Sequence, residues 1–177
     1  MLFGFASSGQ NTLHQWVRNH RVHHKYSDTD SDPHSRDRGL FFSHIGWLLM
    51  KKKQEVVSKF KEIDMSDIVN DPLVTWHTKY AGIINPLACF IIPPLAGTLL
   101  CGEDWHVAVA WQCGIRLLVS YHSTFAINSV AHAVGDRPYN KSIRPANNFI
   151  VSVITAGEGY HNYHHAFPFD YKSAERC

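Results

Sequence analysis

The chain has 177 residues, enough for one domain with its own core, and a formal net charge of only +2. So small a balance, with no basic stripe interleaved with aromatics, excludes a nucleic-acid-binding reading. The four cysteines, Cys89, Cys101, Cys113 and Cys177, contain no C-x-x-C pair, so they indicate neither a disulfide framework nor a cysteine zinc site, and they fit a reducing compartment.

The first residues, MLFGFASSGQNTLHQW, lack a basic n-region and have too short an apolar core for a secretory signal. They read as the tail of an element. The following pattern predicts a helix through Asn11–Lys25. Residues 27–39, SDTDSDPHSRDRG, are polar and acid-rich with one proline, and read as a loop. In residues 40–53, LFFSHIGWLLMKKK, bulky apolar residues precede three lysines. That pattern suits a helix in a membrane interface with its lysines reaching the headgroups, or else an ordinary amphipathic surface helix. Residues 61–74 are a turn-rich connection ending in Asp71-Pro72, which reads as an N-cap and a first-turn proline.

Residues 83–101, IINPLACFIIPPLAGTLLC, run nineteen positions without a charge. As a helix they span roughly 28 Å at about 1.5 Å per residue, close to the hydrocarbon thickness of a bilayer. The prolines at 86, 93 and 94 are tolerated in a membrane helix. GEDW then makes a tight turn, and residues 107–130 form a second apolar run whose single formal charge is Arg116. Arg116 must face protein or snorkel, because a charge facing lipid at that depth costs about 2.5–3.5 kcal/mol. The turn is acidic, with Glu103 and Asp104, whereas the outer flanks carry Lys51–Lys53, Lys79, Arg137, Lys141 and Arg144. The positive-inside rule places the flanks in the cytosol and the turn in the lumen. The mean hydropathy of −0.21 leaves a second reading open, a pair of buried helices in a soluble bundle.

Thirteen histidines stand beside seventeen Lys and Arg. HRVHH (20–24) and HNYHH (161–165) repeat one H-x-x-H-H spacing. On a helix, positions i, i+3 and i+4 share a face, so His20, His23 and His24 converge, as do His161, His164 and His165. NSVAH (128–132) adds Asn128 and His132, four residues apart. Seven imidazoles exceed the shell of one four-coordinate zinc and fit two metal ions. Spacing alone admits iron, zinc or copper.

The chain resembles the membrane-bound acyl-CoA desaturases of the stearoyl-CoA type, most of all insect members. The resemblance rests on WVRNHRVHHKYSDTDSDPHSRDRGLFFSHIGWLL, NSVAH and GEGYHNYHHAFPFDYKSAE. It implies an all-α, integral membrane fold in which a helical hairpin, with spans about 83–101 and 107–130, is joined to cytosolic helices carrying a histidine-rich di-iron site. It implies two iron ions (Fe2+/Fe3+) held by His20, His23, His24, His132, His161, His164 and His165, with Asn128 reaching an iron through water. It also implies substrate contacts at Asn11, Arg18, Asn19, Lys51 and Lys52 with the coenzyme A part of a fatty acyl-CoA, and at Phe125 beside the acyl chain. Relatives often have aspartate at position 19 and tryptophan at position 125. Lysines at a cytosolic face attract a polyanionic headgroup or anionic lipid.

The implied activity is an oxidoreductase that introduces a double bond into a fatty acyl-CoA. Its partners are O2, cytochrome b5 with its NADH-dependent reductase, and membrane lipid. The implied location is the endoplasmic reticulum membrane, with the active site facing the cytosol. Residues 1–177 are expected to be one partial desaturase domain, lacking the family's H-x-x-x-x-H box, its first hairpin and its C-terminal tail, so that the chain alone is short of two iron ligands. The rival readings are a truncated, non-catalytic membrane protein of the same family and a related membrane di-iron hydroxylase or front-end desaturase. Front-end enzymes carry glutamine where His161 stands, together with a fused haem module.

Overall fold

Apolar spacing of the helical period, with few β-branched runs, yields helix after helix. In chain order these are α1 (Leu2–Ser7), α2 (Leu13–Tyr26), α3 (Trp47–Leu49), α4 (Gln54–Lys59), α5 (Ser66–Val69), α6 (Pro72–Pro86), α7 (Ile92–Cys101), α8 (Trp105–Val109), α9 (Arg116–Ser129), α10 (Phe149–Ile154) and α11 (His161–Ala166). The computed structural model describes residues 2–172. Among the described residues there is no β-strand, only the isolated bridges Asp136–Asn147 and Asn147–Tyr160. The chain forms two units, Met1–Asn19 with Ile63–Tyr121, and His20–Glu62 with His122–Cys177.

In the first unit, α1 ends in a turn through Gly9 and Asn11, both with left-handed φ (69° and 65°). A side chain at Gly9 would run into the Tyr121 hydroxyl. The next helix starts two residues later than the spacing predicts, because Thr12 and Gln15 form a capping box. The Gln15 amide donates to Thr12 Oγ1 (3.1 Å) and the Thr12 amide donates to Gln15 Oε1 (3.4 Å). Asp71 caps α6 as its sequence indicates, its Oδ1 accepting from the amides of Leu73 (2.7 Å) and Val74 (3.2 Å).

From Pro72 the helix runs on to Cys101, thirty residues that are long and apolar enough to cross a membrane. A wider π turn at Leu87–Ile91 bridges α6 and α7, so the chain stays helical past Pro86, and Pro93 falls in the first turn of α7. Ile83, Leu87, Phe90, Leu95, Leu99 and Leu100 lie exposed along it. Gly102, at a left-handed φ of 69°, closes α7, and Asp104 caps α8. The second expected span is helical from Trp105 to Ser129, again with a π turn, at Ala110–Ile115. It carries Gln112, Arg116, Ser120, His122 and Ser123, and among the described residues only Pro72–Cys101 meets the length and hydropathy of a span. Arg116 faces protein, as its cost in lipid requires. Its guanidinium donates to the carbonyls of Ser7 (2.8 Å) and Cys89 (2.6 Å), and its Nε to Gln112 (3.0 Å).

In the second unit, residues 40–53 depart from a continuous helix. A π turn at Phe42–Gly46 leads into α3, and Met50 is already extended, which leaves Lys51–Lys53 outside any helix. The GEGYHNYHH stretch depends on its second glycine. A methyl at Gly159 would overlap the Ser152 amide nitrogen, so only glycine lets the start of the last histidine box lie against α10. Gly82, inside α6, has nothing near its missing side chain. We therefore expect Gly159→Ala to destabilise the protein by about 1–3 kcal/mol, and Gly82→Ala to be neutral or stabilising by up to about 1 kcal/mol. Thermal unfolding of both variants in detergent checks the contrast.

Candidate metal centre

Each histidine box occupies one helix, so its three rings project from one face. HRVHH lies in the last turns of α2 and HNYHH forms most of α11. The NSVAH segment behaves differently. The α9 helix stops at Ser129, and His132 sits in the turn beyond it, pinned where the Ala146 amide donates to the Ala131 carbonyl (2.7 Å).

The seven expected histidines gather into two groups. His23, His132, His161 and His165 bring ligand nitrogens within 4.8 Å of one another, and so do His20, His24 and His164. In the three-ring group the Nε2 atoms form a triangle. His24 lies 3.1 Å from His20 and 2.9 Å from His164, and His164 lies 3.3 Å from His20. In the four-ring group His161 Nε2 lies 2.9 Å from His132 Nε2 and 3.1 Å from His165 Nε2. Neighbouring nitrogens around a single ion with bonds of about 2.1 Å stand roughly 3.0–3.4 Å apart. The observed separations match that spacing.

Burial also keeps these rings from taking up protons. It pulls His20 down to about 3, with the His164 ring adding to the effect, and burial followed by His20 pulls His24 to about 2. His23, His161 and His165 are likewise held far below the ordinary imidazole value, first by burial and then by neighbouring rings. The rings are therefore neutral, the form that binds metal. His23 Nε2 is buried with no hydrogen-bond partner, an orphan lone pair that an ion satisfies.

Sequence reading missed the carboxylates behind the rings. His23 Nδ1 donates to Asp32 Oδ2 (2.9 Å) and His132 Nδ1 donates to Asp28 Oδ2 (2.7 Å). Each bond fixes its tautomer and leaves Nε2 free to bind. Asp32 also accepts from the amides of Asp28 (2.8 Å) and His34 (3.0 Å), and Asp28 Oδ1 accepts from the Arg36 amide (2.9 Å). The acid-rich loop thus folds around its own carboxylates. Burial raises Asp32, whereas for Asp28 the bonds from His132 and Arg36 outweigh burial and lower it. Asn162, within the last box, is fully buried and fully bonded. It accepts from the amides of Tyr139 and Asn140 (2.9 and 3.1 Å) and donates to the carbonyls of Asn140 and Pro145 (2.8 and 2.9 Å). Three acidic or amide residues next to or within the boxes, Asp28, Asp32 and Asn162, were the available signal.

The remaining expected residues lie as follows. Asn128 is half-buried near the end of α9. Phe125 is buried, edge-on to His44 and His122. Lys51 and Lys52 are exposed, with Lys52 above the Trp47 ring at 5.5 Å. In the other unit, Asn11 is exposed, Arg18 and Asn19 are half-buried on α2, and the Asn19 side-chain oxygen is buried without a hydrogen bond.

With that geometry in hand, the class of protein is plain: the chain belongs to the fatty acid desaturase family, which it matches over residues 1–172. It is 49% identical over 170 residues to an acyl-CoA Delta(11) desaturase of Spodoptera littoralis, covering 94% of this chain and 49% of that protein. It is 46% identical over 166 residues to stearoyl-CoA desaturase 5 of Bos taurus (94% and 50%) and to an acyl-CoA Delta-9 desaturase of Acheta domesticus (94% and 46%). The chain spans about half the length of the curated relatives it matches.

Two outcomes follow. Asp28→Ala and Asp32→Ala each leave a ring nitrogen unpartnered, and each should weaken Co2+ binding about 10- to 100-fold, read from the absorbance of the bound ion. Between pH 6.5 and about 3 the unfolded chain takes up protons that folded His20 and His24 refuse. Stability of the metal-free chain is therefore present above pH 6.5 and falls as pH drops through that window. Melting curves at stepped pH in a chelator check the sign.

Proposed function

We propose that the chain forms the metal-binding part of an acyl-CoA desaturase that inserts a double bond into a fatty acyl-CoA. The carrying observation is the gathering of seven imidazoles into a four-ring and a three-ring group. On this reading His23, His132, His161 and His165 hold one iron and His20, His24 and His164 the other, with Asn128 reaching its ion through a water. A donor set of imidazoles without thiolate is one that iron accepts. The chemistry that bound iron supplies is the coupling of O2 reduction to removal of two hydrogens from adjacent methylenes, with electrons from cytochrome b5 and its NADH-dependent reductase.

The protein's share is placement. An unactivated methylene chain offers no polar handle, so position along it must come from the headgroup and from the shape of an apolar path. Lys51 and Lys52 offer cations for the phosphates of coenzyme A, and Arg18, Asn19 and Asn11 offer further polar contacts. Buried Phe125 provides apolar wall. The acidic 102–104 turn between basic flanks supports a membrane hairpin in the endoplasmic reticulum with the histidine groups on the cytosolic side.

The test compares two neighbours in the last box. His164 belongs to the three-ring group, whereas Tyr163 points elsewhere, its hydroxyl donating to Asp170 (2.6 Å). The longest reading frame containing this chain is expressed in desaturase-deficient yeast, and unsaturated lipid is measured at equal protein level. His164→Ala should abolish desaturation. Tyr163→Phe loses one hydrogen bond, about 0.5–1.5 kcal/mol of stability, and should retain most activity. Substantial product from His164→Ala would overturn the ligand assignment.

A further inference from the structure

A polar line runs along one face of α6, away from the histidine groups in sequence. His77, Ala81 and Asn85 follow one another at intervals of four, so their side chains stand in one row. His77 is completely buried. Its Nε2 donates to Asn85 Oδ1 (2.8 Å), and Asn85 Nδ2 donates to the Asn11 carbonyl (2.8 Å). The donors all run in one sense, from the imidazole through the amide to the backbone of the turn. Ala81 lies buried between them, and its methyl is small enough for the ring and the amide to meet over it. Phe5 sets its ring edgewise on His77 (centroids 5.9 Å, 83°), which fixes the imidazole plane.

An imidazole buried in so apolar a helix is unfavourable unless it is bonded, and half-buried Asn85 supplies the bond. This line ends on a backbone that needs holding. Asn11 has a φ of 65°, a conformation asparagine tolerates but does not prefer, and Gly9 beside it is also left-handed.

We propose that His77, Ala81 and Asn85 form a positioning relay that holds the Asn11 turn in the shape that receives the coenzyme A portion of the substrate. The inference rests on the reading of Asn11 as a substrate contact given above. The relay touches no substrate itself. It works by fixing the direction of one carbonyl, and with it the side chain of the same residue.

The 177-residue chain in detergent is assayed by equilibrium binding of radiolabelled palmitoyl-CoA and, separately, palmitate. Asn85→Leu removes the amide, Ala81→Leu obstructs the contact, and His77→Gln keeps a donor in the row. Asn85→Leu and Ala81→Leu should weaken palmitoyl-CoA binding about 5- to 10-fold, the loss of roughly one hydrogen bond, with palmitate unchanged. His77→Gln should bind nearly as the unaltered chain does. Equal losses for palmitoyl-CoA and palmitate would mean general damage and overturn the relay. So would unchanged palmitoyl-CoA binding in Asn85→Leu and Ala81→Leu when Asn11→Ala weakens it, an outcome that leaves the substrate reading standing. An unaltered chain with no preference for palmitoyl-CoA over palmitate overturns that reading, and the relay with it.

Discussion

Seven imidazoles have to approach one another to about 3 Å inside the protein, and the arrangement of the second unit serves that constraint. Each ring would protonate readily in water at mildly acid pH, and protonated rings at these distances would repel. Burial prevents it. Burial in turn obliges every outward-facing ring nitrogen to find a partner or remain an orphan, and the 27–36 loop meets that need with Asp28 and Asp32. Asn162 anchors the last box differently, tying it to the 139–145 backbone, while His161 Nδ1 and His164 Nδ1 stay without a hydrogen-bond partner.

The boxes were legible because a three- and four-residue spacing on a helix is a statement about faces. Other local signals found the Asp71 cap, from Asp-Pro, and the apolar helix ending at Cys101, from a run without charge. Spacing failed where a local interaction overruled the period. Thr12 and Gln15 moved the start of α2. At residues 40–53 a π turn followed by extended backbone replaced a regular helix, and three lysines that looked helical are not. His132 shares no helix with Asn128's C-terminal neighbours: the turn beyond Ser129 delivers it, and no spacing rule describes a turn set by a distant backbone bond. The carboxylates of the SDTDSD loop read as generic loop acidity, because their partners lie about a hundred residues away in the case of His132 and Asp28.

The first unit faces the opposite demand. Its long apolar helix exposes aliphatic side chains along its length, yet it lies beside a guanidinium. Arg116 is accommodated because the π turns and the end of α1 present carbonyls to it, those of Cys89 and Ser7 among them. Pro93 and Pro94 have no N–H to bond the Cys89 carbonyl in the α or π pattern, which leaves that acceptor open to Arg116. The irregular turns that the prolines force on the span therefore supply acceptors as well as bends.

The carboxylate bonds at Asp28 and Asp32 grip the His23 and His132 rings on the side facing away from the cluster and set their Nε2 atoms toward it. A cage so fixed, built only of imidazole nitrogen, has little chemical means of telling one first-row metal from another beyond the general order of stabilities, in which copper and nickel outrank iron. For any metal such a cage takes up, the free concentrations the chain meets at the moment of loading would decide the occupant more than the cage itself.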